Sequence, residues 1–349
     1  MATGVIPIRI GLLYDFPQGD DLFAASMRLG LDEVAATGRL DREIELVDKQ
    51  ARGLPSGSEH DIIRAFGELV DDGAVAIVGP SISDNALIAA PLCDAARIPA
   101  INYSGGERTR SQWMFHYQVG SLEEEPPLLV ARMGERGFTR AAVIHDASVV
   151  GDRYAEVLGW AAADAGVEIT GRAAIDPLAE DLTTVVGDLR AADPDVLVYL
   201  GLGAASHAVA TAMADADWSI PVLANSALMF GYVRPDWRDA WASWEYIDTI
   251  AEDNTWRRRL GEQDAAAAAG PIGTATFDMG RLIGHAVGRA ERTDRAGLRE
   301  GLERVKQLPA ASGYEGTLMG FGVWDRGALK GPFLVLRAWR DGTTVQVDR

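Results

Sequence analysis

Residues 74–106 constrain the fold of this chain more than any other stretch. They read AVAIVGPSISDNALIAAPLCDAARIPAINYSGG. An apolar run, Ala74–Val78, ends in Gly-Pro and is followed by Ser81 and Ser83. A helical pattern then runs through Arg97, and a second apolar run, Ile98–Tyr103, ends in Ser104, Gly105 and Gly106. Two short apolar runs joined by one helical period read as a strand–helix–strand unit with parallel strands. Parallel strands joined this way place their carboxyl ends on one edge of a sheet, where ligands bind. Both strands here finish in small polar residues, so the unit predicts recognition of something small at that edge.

The same alternation extends along the chain. Val5–Leu13 reads as a strand, Leu22–Ala36 as a helix, and Glu43–Asp48 as a strand. Glu59–Asp71 reads as a helix with Ile62, Ile63, Phe66, Leu69 and Val70 on one face. A second series starts at Ala141–His145. It continues through helix Asp152–Ala165, strand Glu168–Ala173, helix Ala179–Ala191, strand Val196–Leu200, helix Ala204–Ala216 and strand Pro221–Ala224. Two such series predict two similar α/β lobes, each a parallel sheet with helices on both faces. Gly120–Pro127 (GSLEEEPP) reads as the linker between them. Glu245–Asp248 follows, then a helix-rich region, Thr255–Lys306, in which Thr276–Glu291 is periodic. The carboxyl-terminal run of strands has turns at Asp325-Arg326-Gly327 and Asp341-Gly342. A chain of 349 residues suits two domains.

Composition narrows the function. The balance of 51 acidic against 33 basic residues, a net charge of −18, argues against nucleic acid or an anionic membrane surface as partner. The single cysteine, Cys93, excludes an intramolecular disulfide and a multi-cysteine zinc site. The five histidines are scattered, without HExxH or another metal spacing, so neither metal nor cofactor is expected. Walker A and GxSxG sequences are lacking. Gly201-Leu202-Gly203-Ala204-Ala205-Ser206 follows a strand but lacks the third glycine of a dinucleotide fingerprint, and reads as a tight turn. There is no apolar run of about 18 residues, so no membrane span is expected. The start, MATGVIPIRIGLL, has no basic and apolar leader pattern. If full length, the chain is expected in the cytoplasm; an export signal removed beforehand would place it outside.

Five segments in order carry a resemblance: IRIGLLYDFP, AIVGPSISDNALIAAPLCDAARIPAINYSGG, VYLGLGAASHAVATAMADADWSIPVLANSAL, ATFDMGRLIGHAV and YEGTLMGFGVWDRGALKG. Together they resemble the type I periplasmic-binding-protein family, in its branched-chain amino-acid and amide-binding group, over nearly the whole chain. The resemblance implies an α/β clamshell of two Rossmann-like lobes with parallel sheets. Lobe 1 would comprise residues 1–121 and 251–324, and lobe 2 residues 122–250 and 325–349. Hinge crossings would fall near 120–125, 248–253 and 322–330. It also implies a small ligand held between the lobes, polar groups fixing its head and apolar walls its tail.

The ligand-binding residues the resemblance implies, beside what the residues themselves suggest, are these. Ser81 and Ser83 stand where helix-start amides can hold a carboxylate or carbonyl, though Ser83 could equally be a plain helix cap. Tyr103, Ser104, Gly105 and Gly106 follow the next strand, with Gly106 in place of the usual hydroxyl. Tyr14, Phe16 and Gln18 follow the first strand beside Asp15, and an aromatic there could cover an apolar group or pack inside. Phe277 matches a ligand-facing helix position and is also a candidate for core. On the second lobe, Val150 stands where amino-acid binders carry Tyr. Ala224-Asn225-Ser226 stands where they carry the acid that pairs with the ligand's ammonium. Burying an ammonium without its carboxylate costs about 3–5 kcal/mol. The expected ligand is therefore an amide, a carboxylic acid or an aromatic or apolar small molecule, with Asn225 able to donate and accept. Asp146, beside His145, is a weaker candidate for a cationic ligand. Trp237, Trp241, Trp244 and Trp256 could form an aromatic wall or pack internally.

The chain is thus expected to be non-catalytic: the solute receptor of an ATP-driven importer, with a membrane permease as partner. A second reading is a cytoplasmic ligand sensor that contacts a regulatory protein. An enzyme with an unrecognised site is a third.

Overall fold

The first series of apolar runs and helical periods becomes β1 (Ile8–Tyr14), α1 (Leu22–Ala36), β2 (Ile44–Gln50), α2 (Glu59–Asp71), β3 (Ala76–Val78), α3 (Ser83–Ala96), β4 (Ala100–Asn102) and β5 (Met114–His116). The computed structural model describes residues 7–16 and 22–347. These strands form a five-stranded sheet in the order β2-β1-β3-β4-β5, with every neighbouring pair parallel. In α2, Ser58 caps the first turn by accepting from the Asp61 amide, and Ile62, Ala65, Phe66 and Leu69 are buried. Ile63, expected on that face, is exposed, because it lies a quarter-turn from the stripe. The strand β5 has no signal in the sequence; it is three residues long and takes its place from pairing with β4.

The second series becomes α4 (Glu125–Arg136), β6 (Arg140–Asp146), α5 (Val149–Ala165), β7 (Glu168–Ile175), α6 (Thr183–Ala191), β8 (Val196–Leu200), α7 (Ser206–Asp215), β9 (Val222–Ala224) and β10 (Trp244–Asp248). The expected linker Gly120–Pro127 is only partly a connection, since α4 begins at Glu125. Pro126 and Pro127 fall in its first turn, where an amide has no helical acceptor and proline's fixed φ suits the helix.

The chain then continues through α8 (Thr255–Gln263), α9 (Ala265–Ala268), α10 (Pro271–Arg289), α11 (Arg295–Glu303), β11 (Leu308–Pro309), β12 (Leu318–Met319), β13 (Leu329–Lys330), β14 (Val335–Arg340) and β15 (Thr343–Gln346). Two compact units result: Met1–Val119 with Ile250–Phe333, and Gly120–Thr249 with Leu334–Arg349. Residues 325–333, expected in the second lobe, belong to unit 1, because β13 completes a small antiparallel sheet ordered β11-β12-β13. The sheet of unit 2 is ordered β15-β14-β10-β9-β8-β6-β7, parallel except for the β10–β14 and β14–β15 pairs.

Both sheets repeat one order. Unit 1 runs 2-1-3-4-5, and unit 2 runs 7-6-8-9-10 before its antiparallel edge. In each, the order reverses between the first and third strands, which is where open parallel sheets accept ligands at their carboxyl ends. Behind the first sheet, α1 and α10 pack parallel and very close. A Cβ on Gly280 would lie 2.2 Å from the Met27 carbonyl, one on Gly284 3.0 Å from Val34, and one on Gly288 2.0 Å from the Arg39 carbonyl. The four tryptophans divide between the units. Trp241 and Trp244 are core of unit 2 with Trp237 packed against them, while Trp256 packs against a cluster in unit 1.

Candidate functional site at the carboxyl edges of the sheets

In unit 1, β1 is followed directly by Asp15, whose buried carboxylate closes onto the turn after β3. It accepts from the Ser81 amide (2.8 Å) and hydroxyl (2.7 Å), the Ile82 amide (2.9 Å) and Asn85 Nδ2 (2.8 Å). Asn85 is itself fixed by the Leu54 backbone. Burial pushes the Asp15 carboxyl up, and these donors oppose that shift. Asp15 thus takes the two amides just ahead of α3, those of Ser81 and Ile82, and the amides of the helix's own first turn are not among its donors. Gly79 makes the turn feasible: its φ is +113° and a Cβ there would lie 2.2 Å from the Leu13 carbonyl.

The remaining groups at this edge differ in what they leave open. Ser83 begins α3 but does not cap it, since the preceding Ile82 is the cap residue and makes no side-chain bond. Ser83 Oγ instead accepts from the Gly106 amide at 3.1 Å, joining the turns after β3 and β4 and leaving its own proton uncommitted. Ser104 donates to Asn102 Oδ1 (2.8 Å), and Asn102 in turn donates to Thr109 and the Phe115 carbonyl. His116 Nε2 lies 2.7 Å from the Ser104 carbonyl. Burial and Arg110 hold that imidazole down, to about 3, so it is neutral at physiological pH. Gly105 is half-buried in the same turn. Tyr103 is fully buried against Phe23, which also takes the edge of Tyr14. The Tyr103 hydroxyl lies beside Ser81 and Asp15 without a hydrogen bond of normal geometry among the described residues. Phe16 is half-buried after β1, and Gln18 lies outside the described residues. Phe277 packs with Leu260, Ala267, Ala268 and Ala311 in a core cluster.

Unit 2 repeats the device. Its first strand, β6, has an aspartate at its carboxyl end, and Asp146 accepts from the Leu202 amide (2.7 Å) after the third strand. A Cβ on Gly201 would lie 2.3–2.4 Å from the Asp146 carboxylate atoms, and Gly203, at φ +104°, would meet the Ala227 carbonyl. The glycines of the partial dinucleotide pattern therefore make room for an internal carboxylate and a neighbouring loop. Asn225 is engaged at both ends: Oδ1 accepts from Gly201 and Ala227, and Nδ2 donates to the Gly201 carbonyl at 2.9 Å. Val150 is half-buried in the first turn of α5, which Ser148 caps.

Sequence reasoning missed Glu125. It is fully buried and accepts from the Ser121 amide (2.6 Å), the Tyr154 hydroxyl (3.0 Å), the Ser226 amide (2.7 Å) and the Ser226 hydroxyl (3.2 Å). Burial pushes its carboxyl up to about 7, against the pull of the Ser121 and Ser226 amides. An acid does therefore stand beside Ser226, but its oxygens already accept four internal bonds. Among the described residues no cluster of side chains could hold a metal ion, and no helix is long and apolar enough to cross a membrane.

A family profile described as "periplasmic binding protein" matches residues 7–331. No curated protein matches the chain. Solved structures with the same fold include three bacterial proteins. An ABC transporter substrate-binding protein from Desulfitobacterium hafniense, in complex with Leu, has a TM-score of 0.80 at 17% identity, covering 98% of this chain and 100% of that one. A branched-chain amino acid transporter substrate-binding protein from Streptococcus pneumoniae, in complex with isoleucine, has 0.81 at 16%, covering 98% and 100%. A solute-binding protein of an ABC transporter from R. palustris, in complex with 4-hydroxybenzoate, has 0.81 at 14%, covering 99% and 96%.

Proposed function

Because the chain belongs to the periplasmic binding protein family, we propose that it is a non-catalytic solute receptor of an ABC-type importer, delivering a small molecule to a membrane permease. The family match over residues 7–331 carries this reading. Relatives in structure bind leucine, isoleucine and 4-hydroxybenzoate, so the fold admits both amino acids and aromatic acids.

The ligand is a carboxylic acid or an amide and not a branched-chain α-amino acid. Two features support this class. The buried carboxylates of Asp15 and Glu125 each already accept four internal hydrogen bonds, and an α-ammonium would have to displace those donors. At the edge of unit 1, Ser83 and Tyr103 retain O–H donors, which suit an acceptor oxygen of the ligand. Ser83, Tyr103 and the Gly106 backbone are its contacts there.

Native mass spectrometry of freshly purified protein would identify a retained ligand. Calorimetry would then compare leucine with 4-hydroxybenzoate, aliphatic acids and simple amides. Micromolar or tighter leucine binding, with no response to acids or amides, would refute the ligand class. Ser83→Ala and Tyr103→Phe should each weaken binding of the true ligand about tenfold, the loss of one hydrogen bond to a charged or strongly polar acceptor.

A further inference from the structure

Helices α1 and α10 run in the same direction, so their carboxyl ends emerge together at the end of unit 1 opposite Ser83. Three cationic or potentially cationic side chains meet there. Arg39 follows α1, with its carbonyl against Gly288; His285 and Arg289 occupy the last two turns of α10. Burial and the nearby Arg39 both disfavour the charge of Arg289, and both arginines act on His285. Neither arginine has an ion-pair partner among the described residues, and Arg289 Nη1 is a buried donor without any hydrogen bond. Nearby charges are committed elsewhere: Arg281 pairs with Asp278 and Glu33, and Glu291 pairs with Arg304.

A simpler account is that the arginines offset the two helix ends. Each carboxyl end carries about half a negative charge, so the pair amounts to roughly one. Two guanidiniums carry two positive charges. About one positive charge is left over, in a protein whose net charge is −18 and whose carboxylates could readily have supplied a partner. A buried guanidinium donor left unpaired is costly, which makes an external acceptor favourable.

We propose that Arg39, His285 and Arg289 form a binding site for a small free oxyanion of the phosphate or sulfate type. The two guanidiniums supply forked donors, and the neutral imidazole adds a further N–H. Burial and the neighbouring arginines hold His285 down to about 4, so an anion bound there restores some of its tendency to protonate.

The test is NMR of the five histidines in the full chain, titrated with inorganic phosphate against chloride at matched ionic strength. The His285 resonance, assigned by its loss in His285→Gln, should shift saturably with phosphate and not with chloride. Arg39→Ala, on an exposed loop, should weaken the response about tenfold, and Arg39→Ala/Arg289→Ala should abolish it. Ser83→Ala should leave it intact, separating this site from the ligand edge. A His285 that ignores phosphate, responds equally to chloride, or responds unchanged in Arg39→Ala overturns the proposal; the single variant decides if the double variant does not fold.

Discussion

At the residue scale, the two edges are organised by carboxylates that face inward. Asp15 takes three donors from the turn after β3 and one from Asn85. Asp15→Asn keeps the shape but sets an NH₂ group against backbone amides. It should cost about 2–4 kcal/mol in urea unfolding, from lost charge-assisted bonds and an opposed donor pair; a loss under about 1 kcal/mol would show that the turn does not depend on this anchor. Glu125 gives a pH signature. The folded chain keeps its proton up to about pH 7, while the unfolded chain releases it near the ordinary value of 4.5. This contribution therefore favours folding in acid, and it is lost as pH rises from about 4.5 to about 7. The stability of the native protein relative to Glu125→Gln should fall across that window by up to about 3 kcal/mol and stay level above it. A difference independent of pH would mean that Glu125 is ionised throughout. These anchors were only half legible. Ser81, Ser83 and Ser104 stand out as polar residues at strand ends, but spacing does not show that Asp15 and Asn102 claim two of the three hydroxyls. One signal was available: an aspartate stands at or just after the carboxyl end of the first strand of each series, at Asp15 and Asp146. Glu125 gave none, because GSLEEEPP reads as solvated polar chain until its prolines are placed inside a helix.

At the element scale, the long periods and apolar runs were legible because burial imposes them directly. Leu22–Ala36, Glu59–Asp71 and Val196–Leu200 coincide with α1, α2 and β8. Three-residue strands such as β5 are set by neighbours and leave little pattern. The partnership of α1 with α10 is a long-range fact, yet its chemistry is written in Gly280, Gly284 and Gly288 on one face of α10 and Gly30 on α1. Glycine normally weakens a helix by about 0.5–1 kcal/mol relative to alanine. Here that loss is outweighed by backbone approach. Gly280→Ala should destabilise the protein by about 2–3 kcal/mol or more, because its methyl would overlap the Met27 carbonyl. Gly159→Ala, mid-helix in α5 with nothing within 4 Å, should instead stabilise it by about 0.5–1 kcal/mol. Urea midpoints of the two variants should move in opposite directions; the same direction for both would remove close packing as the reason for the α10 glycines.

At the scale of the whole molecule, each unit is assembled from separated stretches of chain, and the last stretch settles unit 2. β14 pairs with β10 and delivers Trp339, which is almost fully buried. Its Nε1 donates to the Leu228 carbonyl at 3.0 Å, and its ring stacks on Tyr246 and meets the edge of Tyr232. A Cβ on Gly231 would lie 2.4 Å from that ring, so the fit leaves no slack. A chain ending at Phe333 keeps all of unit 1 but opens the β10 edge and removes the tryptophan from the core of unit 2. Losing Trp339 alone, as Trp339→Ala, should cost about 3–5 kcal/mol. Losing the strand pairing as well should unfold unit 2 at ambient temperature. Unit 1 should survive, because residues 120–249 then act as a long flexible insertion, and each doubling of such a loop costs only about 0.6 kcal/mol. Limited proteolysis of the shortened chain should cut within 120–249 and spare 22–119 and 250–333, whereas the full chain should resist throughout. Added peptide 334–347 should restore protection by refilling the edge, as an extra strand does on an open sheet. Protection of 120–249 without that peptide would show that unit 2 is complete before its last two strands arrive.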